Sequence, residues 1–104
     1  MAPGATVSVL YPKTATSTFN LDYYKTTHKD LVLKAWSGVG LKSITITKYG
    51  KDAPYSYGAY LEWDSLEAFD KATDTPATKE VMDDITNFSS EKPVLISGEV
   101  VASG

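Results

Sequence analysis

Apolar and polar residues alternate with two different periods along the chain, and this predicts four strands and two helical regions. Alternation with a period of two between turn residues predicts strands. Apolar residues that recur every three or four positions predict helices. The predicted order is a strand at 6–12, a helix at 21–36, strands at 41–50 and 55–64, a helical region from 65 to about 88 that restarts at Pro76, and a strand at 92–102.

This order, βαββαβ, is typical of a ferredoxin-like α+β fold. Such a fold has an antiparallel four-stranded sheet with two helices on one face. The chain has 104 residues, which fits one domain with one core. We therefore predict a single domain over residues 1–104 with this architecture.

Capping residues mark where the predicted helices begin and end. Asn20 precedes the first helix and is a good N-cap. Asp64 is the predicted cap of the second helical region, because Glu67 three residues later completes a capping-box spacing. Gly38 and Gly40 follow the first helix and predict its stop and a turn.

The predicted strands carry apolar residues on both faces. An antiparallel sheet with one face in water should show a cleaner alternation. A large apolar second face predicts a partner, and we expect a homodimer whose sheets pack face to face. The two predicted sets are Leu10, Tyr60, Leu95 and Val101 on one face, and Val9, Leu61, Ile96 and Val100 on the other.

The chain has a single histidine, His28, which lies on the apolar stripe of the first predicted helix. Three roles are open for it: a core residue with a hydrogen-bonded ring, a general acid or base in a pocket between helix and sheet, or a metal ligand. The last is disfavoured because the spacing of carboxylates around it matches no metal motif. Lys25, Lys29 and Asp30 fall outside a stripe formed by Leu21, Tyr24, His28, Leu31, Val32 and Ala35.

Composition excludes several classes of function. A net charge of −3 argues against a nucleic-acid partner, and no apolar run is long enough to cross a membrane. With zero cysteines the chain has no disulfide or thiolate site. The N-terminal residues lack a signal-peptide pattern, which favours a cytoplasmic location.

Asp83 and Asp84 are adjacent, so a helix would point them about 100° apart, and we expect them on a solvated face.

Several motifs together resemble the EthD-like family, which is named for ethyl tert-butyl ether degradation. They are YP at 11–12, FNLDYYKTTH at 19–28, GL at 40–41, YGAYLEWDSLEAF at 57–69, VMDDITNF at 81–88 and ISGEV at 96–100. The resemblance implies a dimeric α+β barrel and a relationship to small enzymes that need no cofactor. It also implies that His28 is a pocket residue. Where the family often has H-x-P-L, this chain has His28-Lys29-Asp30-Leu31, and the absence of proline predicts a regular helical turn.

Two hypotheses about function follow. In the first, the protein is an enzyme without cofactor or metal, of the lyase, isomerase/cyclase or monooxygenase type. It would act on a small aromatic, polyketide or lactone-like substrate, with His28 moving a proton. In the second, it is a non-catalytic protein of a degradation pathway that binds a hydrophobic ligand. The predicted ligand-binding residues are Tyr11, Tyr24, Tyr55, Tyr57 and Trp63.

Overall fold

A four-stranded antiparallel sheet forms one layer of the protein in the computed structural model, which describes residues 4–104. The strands lie in the order β2-β3-β1-β4, which confirms the predicted ferredoxin-like α+β fold. The last strand is shorter than predicted: it ends at Glu99, which pairs with Ala5 at the start of β1, and the following Val100 N–H donates to Gly4. The bounds are β1 Ala5–Pro12, β2 Leu41–Lys48, β3 Tyr55–Trp63 and β4 Val94–Glu99.

Helices α1, α2 and α3 pack on one face of the sheet. Helix α1 covers 21–36 and has three consecutive parts: an α-helical turn Leu21–Tyr23, a π-helical segment Tyr24–His28 and an α-helical part Lys29–Trp36. A 3-10 turn, Ser37–Val39, follows it, and Gly40 enters β2 with a φ of 120°, a conformation that glycine adopts without strain. Helix α2 is Leu66–Thr73, and α3 is Pro76–Asp83 with a 3-10 extension, Asp84–Asn87.

The helix caps agree with the sequence at one helix and differ at the other. The Asn20 side chain accepts a hydrogen bond from the Tyr23 N–H at 3.1 Å, as predicted. At α2 the cap is Ser65, whose Oγ accepts from the Ala68 N–H at 3.0 Å, so the prediction of Asp64 was wrong by one position. The N–H of Asp64 donates to the carbonyl of Gly40, the residue before β2.

The π segment Tyr24–His28 interrupts the regular helix predicted over 21–36, whereas the residues from Lys29 on are α-helical. The Lys29 N–H donates to the carbonyl of Tyr24, five residues earlier, as a π turn requires. One extra residue per turn rotates everything after it by roughly 100° about the helix axis. Trp36 is therefore buried and Lys29 half-buried, whereas Leu31 and Ala35 in the predicted stripe are covered only in part.

The core lies between the helices and the near face of the sheet. Cross-strand pairs such as Val7 with Leu61 and Val9 with Ala59 form its floor. Fifteen hydrophobic residues of the described range 4–104 are buried there, and the fully buried side chains of largest volume are Trp63, Tyr11, Tyr24, Leu61 and Val7.

The other face of the sheet carries no helix, and we call it the open face. Its apolar residues are Leu10, Tyr60, Val94 and Ile96, since Ser8 pairs with both Tyr60 and Ile96, and Leu10 with Val94. The predicted faces of β4 were wrong: Leu95 pairs with Val9 on the helix side, and Ile96 lies on the open face. A one-residue error in strand register exchanges the two faces. Val100 and Val101 lie beyond the strand.

Candidate active site

A narrow apolar cleft lies between α1, α3 and the sheet. Its free volume is about 30 Å³, enough for roughly one or two water molecules. The cleft is lined by Tyr24, His28, Lys29, Val32 and Trp36 of α1, by Val81, Met82 and Ile85 of α3 and its extension, by Val9, Tyr11, Ile44, Ile46, Ala59 and Leu61 of the sheet, and by Pro93 and Leu95 at its edge.

His28 lies at the end of the π segment and is 5% exposed. Its ring lies against Tyr24, with centroids 5.6 Å apart and planes 21° from parallel. Phe88 contacts it at a centroid distance of 4.5 Å. The position predicted for His28, between helix and sheet beside Tyr24, is the one the structure shows.

Asp84 holds the histidine ring from the first turn after α3. Its Oδ2 lies 2.8 Å from His28 Nδ1. The other carboxylate oxygen accepts hydrogen bonds from the Tyr23 hydroxyl at 2.6 Å and from Asn87 Nδ2 at 2.9 Å. The side chain of Asp84 is only 11% exposed, so the prediction that both aspartates lie on a solvated face was wrong. Asp83 does lie there and pairs with Lys79.

The surroundings fix which member of the pair carries the charge. Burial lowers the pKa of His28 below its ordinary value, although Asp84 acts in the opposite direction. For Asp84, burial raises the pKa, but the hydrogen bonds from Tyr23, His28 and Asn87 outweigh it and the net pKa is lowered. The pair at pH 7 is therefore a neutral imidazole and an ionised carboxylate. Because a carboxylate only accepts hydrogen bonds, Nδ1 carries the proton and donates.

The second ring nitrogen of His28 is left as a base. Within residues 4–104, Nε2 of His28 has no hydrogen-bond partner. It is also not a fully enclosed unpaired atom, because the one side-chain polar atom of that kind in this range is Trp63 Nε1. The ring lines the cleft, so its unprotonated nitrogen is open to whatever occupies that space. A neutral histidine oriented by a carboxylate and open to an apolar cleft has the arrangement of a general base.

The predicted tyrosines and tryptophan are divided between the cleft and its surroundings. Tyr11 and Tyr24 line the cleft, and burial raises the pKa of each, so both hydroxyls stay protonated. Tyr57 stacks on Phe19 at 4.5 Å, and Trp63 packs in the core beside Trp36. Neither these two nor Tyr55 lines the cleft. A ligand-binding role for Tyr55, Tyr57 and Trp63 stays a prediction that this geometry does not favour.

Three polar residues of the site were missed in the sequence: Tyr23, Asp84 and Asn87. A signal was present, because Asp84 follows the buried Val81 by three residues and directly precedes the buried Ile85. That places Asp84 within the inward stripe of the helix, where a carboxylate needs hydrogen-bond donors. Asn87, three residues later, supplies one of them.

Residues 4–104 contain no group of three or more histidine or acidic side chains arranged to hold a metal ion. None of the helices in that range combines the length and the apolar character needed to cross a membrane.

Comparison with known proteins gives similarities in structure. No protein-family model and no curated protein matches the sequence. An EthD-like protein from Ralstonia eutropha JMP134 is 27% identical, with a TM-score of 0.83 over 100% of this chain and 97% of that one. An ethyl tert-butyl ether degradation (EthD) family protein from Bacillus halodurans C-125 is 20% identical, with a TM-score of 0.72 over 94% of this chain and 99% of that one.

More distant proteins share the fold alone. SnoaB, a cofactor-independent oxygenase from Streptomyces nogalater, is 14% identical, with a TM-score of 0.64 over 99% of this chain and 100% of that one. A dimeric ferredoxin-like protein of unknown function from Thermobifida fusca YX is 16% identical, with a TM-score of 0.57 over 96% of this chain and 93% of that one. The resemblance that the motifs predict is therefore confirmed: over its whole length the chain is similar in sequence and in fold to an EthD-like protein, and it shares its fold with a second protein of that family.

Proposed function

We propose that the protein is a cofactor-independent enzyme that transfers a proton on a small aromatic, polyketide or lactone-like substrate. The observation that carries the proposal is the His28–Asp84 pair at the lining of an apolar cleft, in which Nδ1 donates to Asp84 and Nε2 is left as the unprotonated nitrogen. The fold shared with SnoaB, a cofactor-independent oxygenase, supports chemistry of this kind.

In the proposed reaction, His28 Nε2 removes a proton from a carbon or hydroxyl group of the substrate. The imidazolium that forms is stabilised by the ionised Asp84, which accepts a hydrogen bond from Nδ1–H and does not take up the proton. Tyr11 and Tyr24 remain protonated, and because the Tyr24 hydroxyl hydrogen-bonds to Tyr11, it is the Tyr11 hydroxyl that donates to the oxygen that gains charge, such as that of an enolate. The apolar walls exclude water, which would otherwise return the proton.

The size of the cleft requires movement before a ring can bind. A free volume of about 30 Å³ is far below that of an aromatic ligand. Met82 and Leu95 at the rim are 39% and 43% exposed, and a methionine side chain adapts readily to a new neighbour. We expect these two side chains to be displaced when substrate binds.

The same narrowness favours the second candidate function, a non-catalytic protein that binds a hydrophobic molecule. His28 is enclosed by Tyr24 and Phe88, so part of its role is packing. Native mass spectrometry of the protein as purified would detect a bound ligand. Binding of such a molecule with no proton transfer in the following experiment would establish this candidate over the enzyme.

Deuterium exchange tests proton transfer without knowledge of the natural reaction. The probe is 2-indanone, a ring ketone with acidic hydrogens beside its carbonyl, incubated in D₂O and followed by NMR. The wild-type protein is expected to accelerate exchange over buffer, and His28→Gln to lose about 100-fold or more of that acceleration, the usual contribution of a general base.

Two further variants complete the experiment. Asp84→Asn should also slow exchange, because an amide at this position no longer favours the tautomer with its proton on Nδ1. Lys34→Gln, on the exposed side of α1, should leave the rate unchanged. Equal rates for wild type and His28→Gln, at equal thermal stability, would refute the proposal.

We further propose that two copies pack through their open faces. The apolar Tyr60, Val94 and Ile96 are 44%, 40% and 57% exposed there, which is unusual on a monomer surface. The dimeric protein from Thermobifida fusca shares the fold, which supports this assembly. A cytoplasmic location and the absence of a nucleic-acid partner stay predictions from the sequence.

A further inference from the structure

Lys29 brings a positive charge to the lining of an otherwise apolar cleft. It is half-buried beside His28, and among the described residues it is the one lining side chain that is formally charged. The ion pairs within residues 4–104 involve Lys25, Lys71, Lys79 and His28, so Lys29 has no acidic partner there. An ammonium group at the edge of such a cleft, with no acidic partner in that range, is free to pair with an anionic group of a ligand.

The placement of Lys29 is produced by the backbone and is unexpected from its sequence position. Consecutive residues of a regular helix diverge by about 100°, so His28 and Lys29 would not be expected to line one cleft. The π segment ends at His28, and the rotation it introduces turns the following residue inward. Such segments occur often at functional sites.

From this geometry we propose that the substrate is an anion, a small aromatic carboxylate or phenolate whose charge pairs with Lys29 while its ring enters the cleft. This rests on the proposed function and names the class of its substrate. The methylene stem of a lysine covers apolar surface and keeps its ammonium group near water, so the anionic group would remain at the rim.

The charges around the cleft favour an anionic group beside Lys29 and nowhere else along the walls that residues 4–104 form. Asp84 is ionised, but it accepts hydrogen bonds from Tyr23, Asn87 and the His28 ring, and it does not itself line the cleft. The deeper walls, formed by residues such as Val32, Leu61 and Val81, offer no compensation for a charge. An anion held at Lys29 therefore presents its uncharged ring to His28 Nε2. Lys29 acts as a specificity residue.

A matched pair of probes, benzoate and the uncharged benzamide, tests the inference at pH 7, where a carboxylic acid is ionised. Binding is measured by NMR titration of the His28 ring signals in wild type, Lys29→Gln and Lys34→Gln. We expect wild type to bind benzoate roughly tenfold more tightly than benzamide, as one close opposite charge provides near a surface. Lys29→Gln should abolish this preference, and Lys34→Gln should keep it.

The outcomes separate the inference from the function on which it rests. Equal affinity of wild type for both probes, or an unchanged preference in Lys29→Gln, overturns the role of Lys29 and leaves the His28 proposal standing. If neither probe shifts the His28 signals, the cleft is not a ligand site for rings and both proposals fall. Lys29→Arg, which retains the charge, should retain a preference for benzoate that decreases with added salt.

Discussion

At the scale of single residues, the site is a buried histidine oriented by a half-buried carboxylate. The ring of Phe88 packs against the rings of His28 and Tyr24. Asp84 is tolerated in this apolar setting because it accepts hydrogen bonds from three side chains. The pair therefore affects stability as well as chemistry.

Acidification is expected to destabilise the fold in two stages. The folded pKa of His28 lies below the ordinary 6.5, so the unfolded chain takes up the proton first and stability falls as the pH drops below that value. The folded pKa of Asp84 lies below 3.8, so its stabilising contribution is present above that value and is lost as the pH falls through the folded pKa. Urea unfolding at a series of pH values measures both stages.

The variant His28→Gln separates the two stages. It cannot titrate, so the loss of stability that begins near the ordinary histidine pKa should disappear. The loss at lower pH should remain, because Asp84 keeps its bonds to Tyr23 and Asn87. A wild-type free energy of unfolding that does not change between about pH 7 and pH 5 would contradict the depressed pKa of His28.

At the scale of elements, the π segment in α1 decides which residues reach the cleft. It follows one α-helical turn capped by Asn20 and precedes the part that carries Val32 and Trp36. The Trp36 indole N–H then donates to the buried Thr78 hydroxyl on α3 at 2.8 Å, which joins the two helices across the core. Geometry at the start of α1 thus determines how its far end packs.

The cap of α2 gives a prediction at the same scale with a matched control. Ser65→Ala removes the hydrogen bond to the Ala68 N–H and should lower the free energy of unfolding by about 1 kcal/mol. Asp64→Ala, one residue earlier and exposed, should change it by less than about 0.5 kcal/mol. Chemical denaturation of both variants measures the difference, and a larger loss for Asp64→Ala would restore Asp64 as the cap.

At the scale of the whole molecule, the two faces of the sheet differ in what covers them. The near face forms the floor of the core and the cleft, and the open face carries Leu10, Tyr60, Val94 and Ile96 without a covering helix. Both faces can be apolar only if each is covered. The helices cover one, and a second copy of the chain is proposed to cover the other.

Light scattering at micromolar concentration tests the assembly. Ile96→Lys places a charge in the proposed interface and should convert the dimer to a monomer that stays folded, since this side chain is 57% exposed in the single chain. Val39→Lys is the control, because Val39 is 45% exposed but lies in the 3-10 turn after α1. A monomeric wild type would contradict the proposed dimer.

The sequence by itself determined the order of strands and helices, the cap at Asn20 and the inward position of His28, because these depend on periodicity and local side-chain chemistry. Tertiary structure decided the partner of His28, since Asp84 lies 56 positions away and its direction depends on how α3 packs against α1. It also decided the faces of β4, which depend on strand register, and the inward turn of Lys29, which depends on one extra residue in a helical turn. Local pattern cannot fix any of these three, because each is a relation between segments or a phase shift within one.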